Sequence, residues 1–235
     1  MYLGLVPLPL FKRLSAGWRA GLVSFSAGVL LFLFADVTHE GVELSAAPGS
    51  SPFLFAIGIV LGLLGPVLVS GWARNRRAAG IAQRPGAGDG GARLFTAYMI
   101  ALGIGLHNLG EGLAIGAAYA AGTFGLTTLL VIGFFLHNST EGLGIAGPIA
   151  TVPTHWREPL LLGFLAGAPT ILGSMIGSLA FSATLGALFF AAAAGALLYV
   201  VVELAKMLHA SDRISVTFAG IVGLLTMYFT GLLIR

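Results

Sequence analysis

The fold of this chain is decided by residues 102–147, "LGIGLHNLGEGLAIGAAYAAGTFGLTTLLVIGFFLHNSTEGLGIAG". Two apolar stretches are joined here by the short connection Gly-Thr-Phe-Gly, so we predict an antiparallel hairpin of two membrane helices. The sequence "HNLGEG" (107–112) returns as "HNSTEG" (137–142). Ionisable side chains are costly inside a bilayer, so a repeated polar cluster in these stretches is interpreted as functional.

The composition is that of a membrane protein. Of the 235 residues, 57% are hydrophobic and 9% are charged, and the mean hydropathy is +0.96. Soluble domains carry about 25% charged residues. The chain has no cysteine, which limits any metal site to histidine, carboxylate, amide and water ligands.

Seven apolar stretches reach the roughly 20 residues that a bilayer-crossing helix needs. They cover residues 17–40, 52–72, 94–121, 124–150, 159–182, 184–208 and 214–234. Residues 1–11 are apolar but too short to span. We therefore predict an all-α, polytopic membrane helix bundle with seven complete spans, forming a single domain over residues 1–235.

The basic residues assign the orientation of the spans. Seven alternating spans place eleven of the twelve lysines and arginines on one side and leave only Arg235 on the other. By the positive-inside rule the first side is cytoplasmic, and the C-terminus lies outside. Residues 73–93, rich in Gly and Arg, are expected to form a flexible cytoplasmic loop. The formal charge of +3 is thus explained by membrane topology, and nucleic acid is not an expected partner.

The spacing of the polar residues within the spans indicates a metal site. His107 and Glu111 are four residues apart, as are His137 and Glu141, so each pair lies on one helix face with about 5–6 Å between the Cβ atoms. Asn108 and Asn138 border the same faces. On a hairpin, the two faces would bring two imidazoles, two carboxylates and two amides around one divalent cation.

Structural roles remain alternatives for single polar residues. One histidine–glutamate pair could simply join two helices by a hydrogen bond, but two pairs at matched depth favour a site. Asp36, His39 and Glu40 at the outer end of the first span fit either a transport pathway or a solvated helix end. Glu203 in the sixth span fits either a pathway or a structural role, and Thr170 in the fifth is a further possible pathway residue. His155 and His209 are interpreted as surface histidines of the cytoplasmic loops.

At "HNLGEGLAIG" and "HNSTEGLGIAG" the sequence resembles the ZIP (Zrt/Irt-like) family of divalent metal transporters, nearest its bacterial GufA-like branch. The resemblance extends to "YVVVELAK" (199–206), where the family has an acidic residue at the position of Glu203. It implies eight helices, a transport site between the fourth and the fifth, an outward N-terminus, and metal movement towards the cytoplasm.

The sequence departs from the family pattern at several points. Residues 5–14, "LVPLPLFKRL", resemble only the cytoplasmic end of the family's first span, so we expect an N-terminal remnant of an eighth helix and a truncated chain or a misassigned start. Gly110 and Thr140 stand where the family often has proline. Thr170 stands where binuclear members carry a metal-binding glutamate, and Asn138 where some have aspartate. Both changes remove negative charge, which favours one tightly bound ion over two.

Three functions are weighed. The first is transport of a divalent metal, with zinc foremost and iron, manganese, cobalt and cadmium also compatible with these ligands. The alternatives are a seven-span intramembrane zinc hydrolase, against which stands the absence of an HExxH helix, and a static metal sensor. No cofactor beyond the transported ion is expected. The expected location is the bacterial inner membrane, and the sequence leaves association into a homodimer open.

Overall fold

The computed structural model describes residues 1–78, 89–209 and 211–234. These residues form nine helices and no strand. They are α1 (Tyr2–Leu5), α2 (Leu8–Arg13), α3 (Ala16–Ala46), α4 (Pro52–Ala78), α5 (Asp89–Ala120), α6 (Phe124–Ile149), α7 (Arg157–Ala180), α8 (Ala183–Leu208) and α9 (Arg213–Ile234). The predicted all-α membrane bundle is therefore confirmed, since α3 to α9 are each long and apolar enough to cross a bilayer.

Most helix boundaries lie within two residues of the predicted spans, and at the exceptions the helix is longer than the predicted span. The first predicted span ends at residue 40, but α3 continues to Ala46, and Val42, Glu43 and Ala46 in this extension are exposed. Helices α4 and α5 likewise extend to Ala78 and from Asp89 into the loop predicted over residues 73–93. The rest of that loop, residues 79–88, lies outside the described residues.

Two helices, α5 and α8, form the centre of the bundle. Helix α8 packs against α3, α4 and α5, while α5 also packs along α6 and α7. Helices α4 and α9 lie at the periphery, and most of their apolar surface is exposed. Because membrane helices gain little from burying apolar surface against each other, these exposed faces are the expected contact with lipid.

Close contact between α5 and α7 depends on glycine. A methyl group at Gly112 of α5 would overlap the backbone carbonyl of Thr170, and one at Gly173 of α7 would overlap the carbonyl of Leu109. Small residues let membrane helices approach closely and gain van der Waals contact. The result is that α7 forms a wall directly beside the second half of α5, where the polar residues lie.

The first thirteen residues pack onto this half of the bundle. Leu5, Leu8 and Phe11 of α1 and α2 are buried, and α1 contacts α6 and α7. At the end of α2, Lys12 Nζ donates hydrogen bonds to the carbonyl of Val152, at 3.0 Å, and to Thr154 Oγ1, at 2.8 Å. Together α1 and α2 lie where the sequence predicted the remnant of a further helix.

The polar contacts at the two ends of the bundle agree with alternating spans. At one end Arg93 donates to Thr151 Oγ1 at 2.6 Å, which joins the start of α5 to the α6–α7 loop. At the opposite end Thr184 Oγ1 donates to the carbonyl of Gly49 at 3.0 Å, which joins the α3–α4 loop to the start of α8. The first contact joins the starts of α5 and α7, and the second joins the starts of α4 and α8. In spans that alternate in direction, these two pairs of helix starts lie at opposite ends of the bundle.

Candidate metal centre

The turn between α5 and α6 brings the two repeated motifs together. It contains Gly122 with φ +73°, a backbone conformation that side-chain-bearing residues rarely adopt. Thr123 caps the end of α5, since both its backbone N–H and its Oγ1 donate to the carbonyl of Ala118. The two helices therefore run antiparallel, and His107 and His137 both lie near the middle of their helices.

Glu111 is the point at which both motifs meet. Its Oε1 lies 3.1 Å from Nε2 of His107, one turn earlier on α5. The same Oε1 is hydrogen-bonded to Nε2 of His137 on α6. Its second oxygen, Oε2, accepts a 2.9 Å hydrogen bond from Nδ2 of Asn138. One carboxylate on α5 thus holds two adjacent side chains of α6.

Glu141 lies beside this group and has far fewer contacts. It is completely buried, and its Oε1 lies 3.7 Å from His107 Nε2, beyond hydrogen-bond distance. Within the described residues neither of its oxygens has a hydrogen-bond partner, nor does Nδ1 of His107, nor do the amide oxygens of Asn108 and Asn138. A buried polar atom left without a partner costs about 1–3 kcal/mol. Several buried polar atoms without partners in one place indicate a site that binds a ligand.

The donor atoms have the chemistry and spacing of a site for a divalent metal. Ligand atoms of His107, Glu111 and His137 all lie within 4.8 Å of one another. Atoms bonded tetrahedrally to one zinc at about 2.1 Å stand about 3.4 Å apart. The distances of 3.1 and 3.7 Å from His107 Nε2 to the two glutamates lie on either side of this value. Small side-chain movements would suffice to bring these groups around one ion.

Helix α7 supplies the neutral side of the centre. Asn108 Nδ2 donates a 2.8 Å hydrogen bond to the carbonyl of Ala166, which fixes the amide against α7. Asn108, Asn138 and Thr170 line the same cavity of about 430 Å³. Thr170, at the position where the resemblance implies a glutamate, therefore contributes a hydroxyl to this region and no charge.

Five residues are predicted as possible parts of a pathway. Thr170 lines the cavity described above, and the other four lie outside the cluster. Asp36 and Glu40 are exposed on α3 but line a cavity that also reaches His137. His39 is not part of the lining of that cavity, and its Nε2 lies 3.2 Å from Glu43 Oε1. Glu203, near the end of α8, is paired with Lys206 at 2.6 Å. His155 and His209 are exposed, as expected for surface histidines.

Sequence reasoning missed two contacts at the centre. One is the bond from Asn108 to Ala166, which requires knowing that α7 packs on α5. The other is Phe134, whose ring meets that of His137 edge to face with 5.4 Å between centroids. Its position three residues before His137 puts it on the same helix face. The spacing of three residues could therefore have predicted the contact between the two rings.

A family model described as ZIP Zinc transporter matches residues 75–231, which include α5 to α8 and most of α9. No curated protein matches the chain.

Proposed function

Because the chain belongs to the ZIP zinc transporter family, whose members transport divalent metals, we propose that its carried ion is held by the centre between α5 and α6. The ligands in this proposal are His107, Glu111, His137 and Glu141. Asn108 and Asn138 serve as auxiliary oxygen ligands. The whole helix bundle acts as one transporting unit.

The observation that carries this proposal is the set of buried polar atoms without partners. Glu111 and Glu141 are both buried, and when ionised they place two negative charges side by side. Two nearby carboxylates in a low-dielectric region repel each other strongly. One bound dication neutralises both charges and gives the free nitrogen and oxygen atoms a partner. The centre is thus better suited to a cation than to staying without one.

Zinc is the ion that we assign first. Imidazole and carboxylate ligands suit zinc, and the same set accepts iron, manganese, cobalt and cadmium. The chain has no thiolate to favour softer ions. We therefore expect transport of several divalent transition metals, with zinc bound most tightly among those tested at equal concentration.

The direction of transport in this proposal is from the outside to the cytoplasm. It rests on the resemblance to the ZIP family. The basic residues, which gather at the loops before α3, α5, α7 and α9, support only the orientation, because they mark the cytoplasmic side. The C-terminus then lies outside, and a bacterial inner membrane is the setting that we propose. Membership of the bacterial GufA-like branch of the family likewise stays a prediction.

Uptake into sealed liposomes tests the proposal. Purified protein is reconstituted with an internal fluorescent metal indicator, and uptake is measured for zinc, iron, manganese, cobalt and cadmium. Glu111→Gln and Glu141→Gln keep the side-chain shape but remove the charge, so each should reduce zinc uptake at least 100-fold. Glu43→Gln, on the exposed end of α3, is the matched control and should leave uptake within twofold.

The same liposomes separate the alternatives. Zinc binding without flux in the unmodified protein would indicate a static sensor, and hydrolysis of amide or ester substrates without flux would indicate an enzyme. Equal uptake by Glu111→Gln, Glu141→Gln and the control would remove this centre from the transport path.

A further inference from the structure

A cavity of about 450 Å³ lies between the first two helices and the start of α7. None of the four residues proposed as metal ligands lines it. Its deeper part is apolar and is lined by Val6 and Leu160, which are 72% and 48% exposed. Tyr2 Oη closes this part by donating a 3.0 Å hydrogen bond to the carbonyl of Leu160. Because Leu160 belongs to the membrane-spanning α7, the cavity opens towards the hydrocarbon of the bilayer.

The other end of the cavity is polar. It is lined by Lys12, Thr154, His155 and Trp156. His155 and Trp156 are exposed and directly precede the first residue of α7. Tryptophan is enriched at the level of the lipid headgroups, where one part of its ring system is apolar and another is polar. The cavity therefore runs from the membrane interface into the hydrocarbon region, in the direction that a phospholipid takes.

Lys12 brings a positive charge to the polar end, and this charge has no counter-ion. The side chain is half-buried, and its Nζ donates only to two neutral oxygens, those of Val152 and Thr154. An ammonium group has three N–H donors. Within the described residues no ion pair joins Lys12 to a carboxylate. Charges removed from water are normally paired, so the cavity offers one N–H donor and one unbalanced charge to an anion.

The charges around the cavity have the same sign. Arg13 and Arg157 are exposed beside it, and the guanidinium of Arg157 lies 5.4 Å from the centroid of the Trp156 ring. Glu158 is the one acidic residue between positions 151 and 160, and its Oε2 already accepts a hydrogen bond from Tyr98. The polar end thus attracts a negatively charged group.

We propose that this cavity binds one anionic phospholipid, with the phosphate beside Lys12 and an acyl chain along Val6 and Leu160. Basic pockets between membrane helices bind anionic headgroups in this way. A free phosphate ion would balance Lys12 but leave the apolar part of the cavity unfilled. A zwitterionic phospholipid would fill the cavity but has no net charge to balance Lys12. The site lies outside the metal centre, and the proposal does not depend on transport.

Quenching of Trp156 fluorescence by brominated lipids tests the site. The chain has three tryptophans, so Trp18→Phe and Trp72→Phe leave Trp156 as the single reporter. Brominated phosphatidylglycerol should associate about fivefold more strongly than brominated phosphatidylcholine, the preference that one basic residue near the membrane surface gives. Inorganic phosphate alone should not displace the brominated lipid, whereas displacement by it would show that the site binds a free anion.

Charge variants in this background identify the residue responsible. Lys12→Gln should remove the preference for phosphatidylglycerol, and Lys12→Arg should restore it. His155→Glu adds a negative charge to the cavity without removing the hydrogen bonds of Lys12, and should also remove the preference. Arg213→Gln, exposed at the start of α9, changes the net charge as Lys12→Gln does and is the control that should keep it.

Thermal unfolding of each variant in detergent shows whether it is folded. If Lys12→Gln unfolds because the α6–α7 loop loses its two hydrogen bonds, His155→Glu decides the question alone. Equal quenching by the two lipids in the unmodified cavity would overturn the proposal. The same preference in His155→Glu and Arg213→Gln would overturn it too, because the charge in the cavity would then have no effect.

Discussion

Asn138 of α6 donates a 2.9 Å hydrogen bond from Nδ2 to Oε2 of Glu111 on α5. The second motif therefore reaches across the hairpin to the carboxylate of the first, while the amide oxygen of Asn138 is left without a partner. This bond orients a neutral oxygen ligand beside the carboxylate. A substitution of Asn138 by a charged residue would therefore change the net charge of the centre directly.

The first prediction concerns that charge. Asn138→Asp replaces a hydrogen-bond donor with a carboxylate beside Glu111. Unit charges 4 Å apart repel by about 4 kcal/mol at an effective dielectric constant near 20, so the metal-free variant should be clearly less stable. Added zinc should restore it, giving a larger metal-induced rise in Tm than in the unmodified protein. An equal rise in both proteins would contradict the proposed position of the ion.

The second prediction concerns stoichiometry. Glu111 and Glu141 supply two negative charges, which neutralise one divalent ion, while Asn108, Asn138 and Thr170 are neutral. Two dications close together repel about four times as strongly as two unit charges. Calorimetry and elemental analysis should therefore find one tightly bound zinc per chain. Two equally tight ions in the unmodified protein would be incompatible with this charge balance.

The third prediction extends the second by adding charge at Thr170. Thr170→Glu places a carboxylate in the cavity that Asn108 and Asn138 line, and should create or strengthen a second metal site. Ala180→Glu, at the exposed end of the same helix, is the control and should leave the stoichiometry at one. If both variants bind the same number of ions, Thr170 does not face the metal region.

The fourth prediction concerns the contact between α5 and α7. Gly112→Ala would place a methyl group against the carbonyl of Thr170 and should lower stability by about 1–3 kcal/mol, the usual cost of overpacking. Gly125→Ala on α6 meets no atom within 4 Å and serves as the control. Thermal unfolding in one detergent compares them. Equal Tm values would show that this close approach contributes little.

The fifth prediction concerns orientation. The chain has no cysteine, so single cysteines are clean probes. A cysteine at Ala46, at the exposed end of α3, should react with an impermeant maleimide from outside the cell. One at His155, exposed in the α6–α7 loop, should react only after the cytoplasmic side is opened. Labelling of both from one side would refute the order of the spans.

Much of this fold was predictable from sequence because bilayer thickness sets the length of apolar stretches. Hydropathy indicates which residues cross the bilayer and not the full length of a helix, so the end of α3 from residue 41 to Ala46 was not predicted. The start of α5 at Asp89 was missed for the same reason. Helices continue into water wherever no residue stops them.

The centre was predictable only in part. Spacing of four residues placed His107 with Glu111, and His137 with Glu141, because helical periodicity is local. The contacts of Asn108 with Ala166, and the cavity from Asp36 to His137, depend on which helices pack together. The spacing of residues within one helix contains no information about which helices pack together. The glycines of these two helices favour a close approach, and five of them lie against the backbone of the other helix: Gly105, Gly112, Gly116, Gly173 and Gly177.

The central claim is that the carried ion is bound by both histidines and both glutamates of the hairpin. X-ray absorption spectroscopy of the protein loaded with one zinc per chain tests it most directly. The account predicts a shell of nitrogen and oxygen atoms at about 2.0–2.2 Å, with outer-shell scattering from two imidazoles. Replacing His107 or His137 by Ala should leave outer-shell scattering from one imidazole. A zinc shell without imidazole, or one unchanged in both variants, would contradict the account.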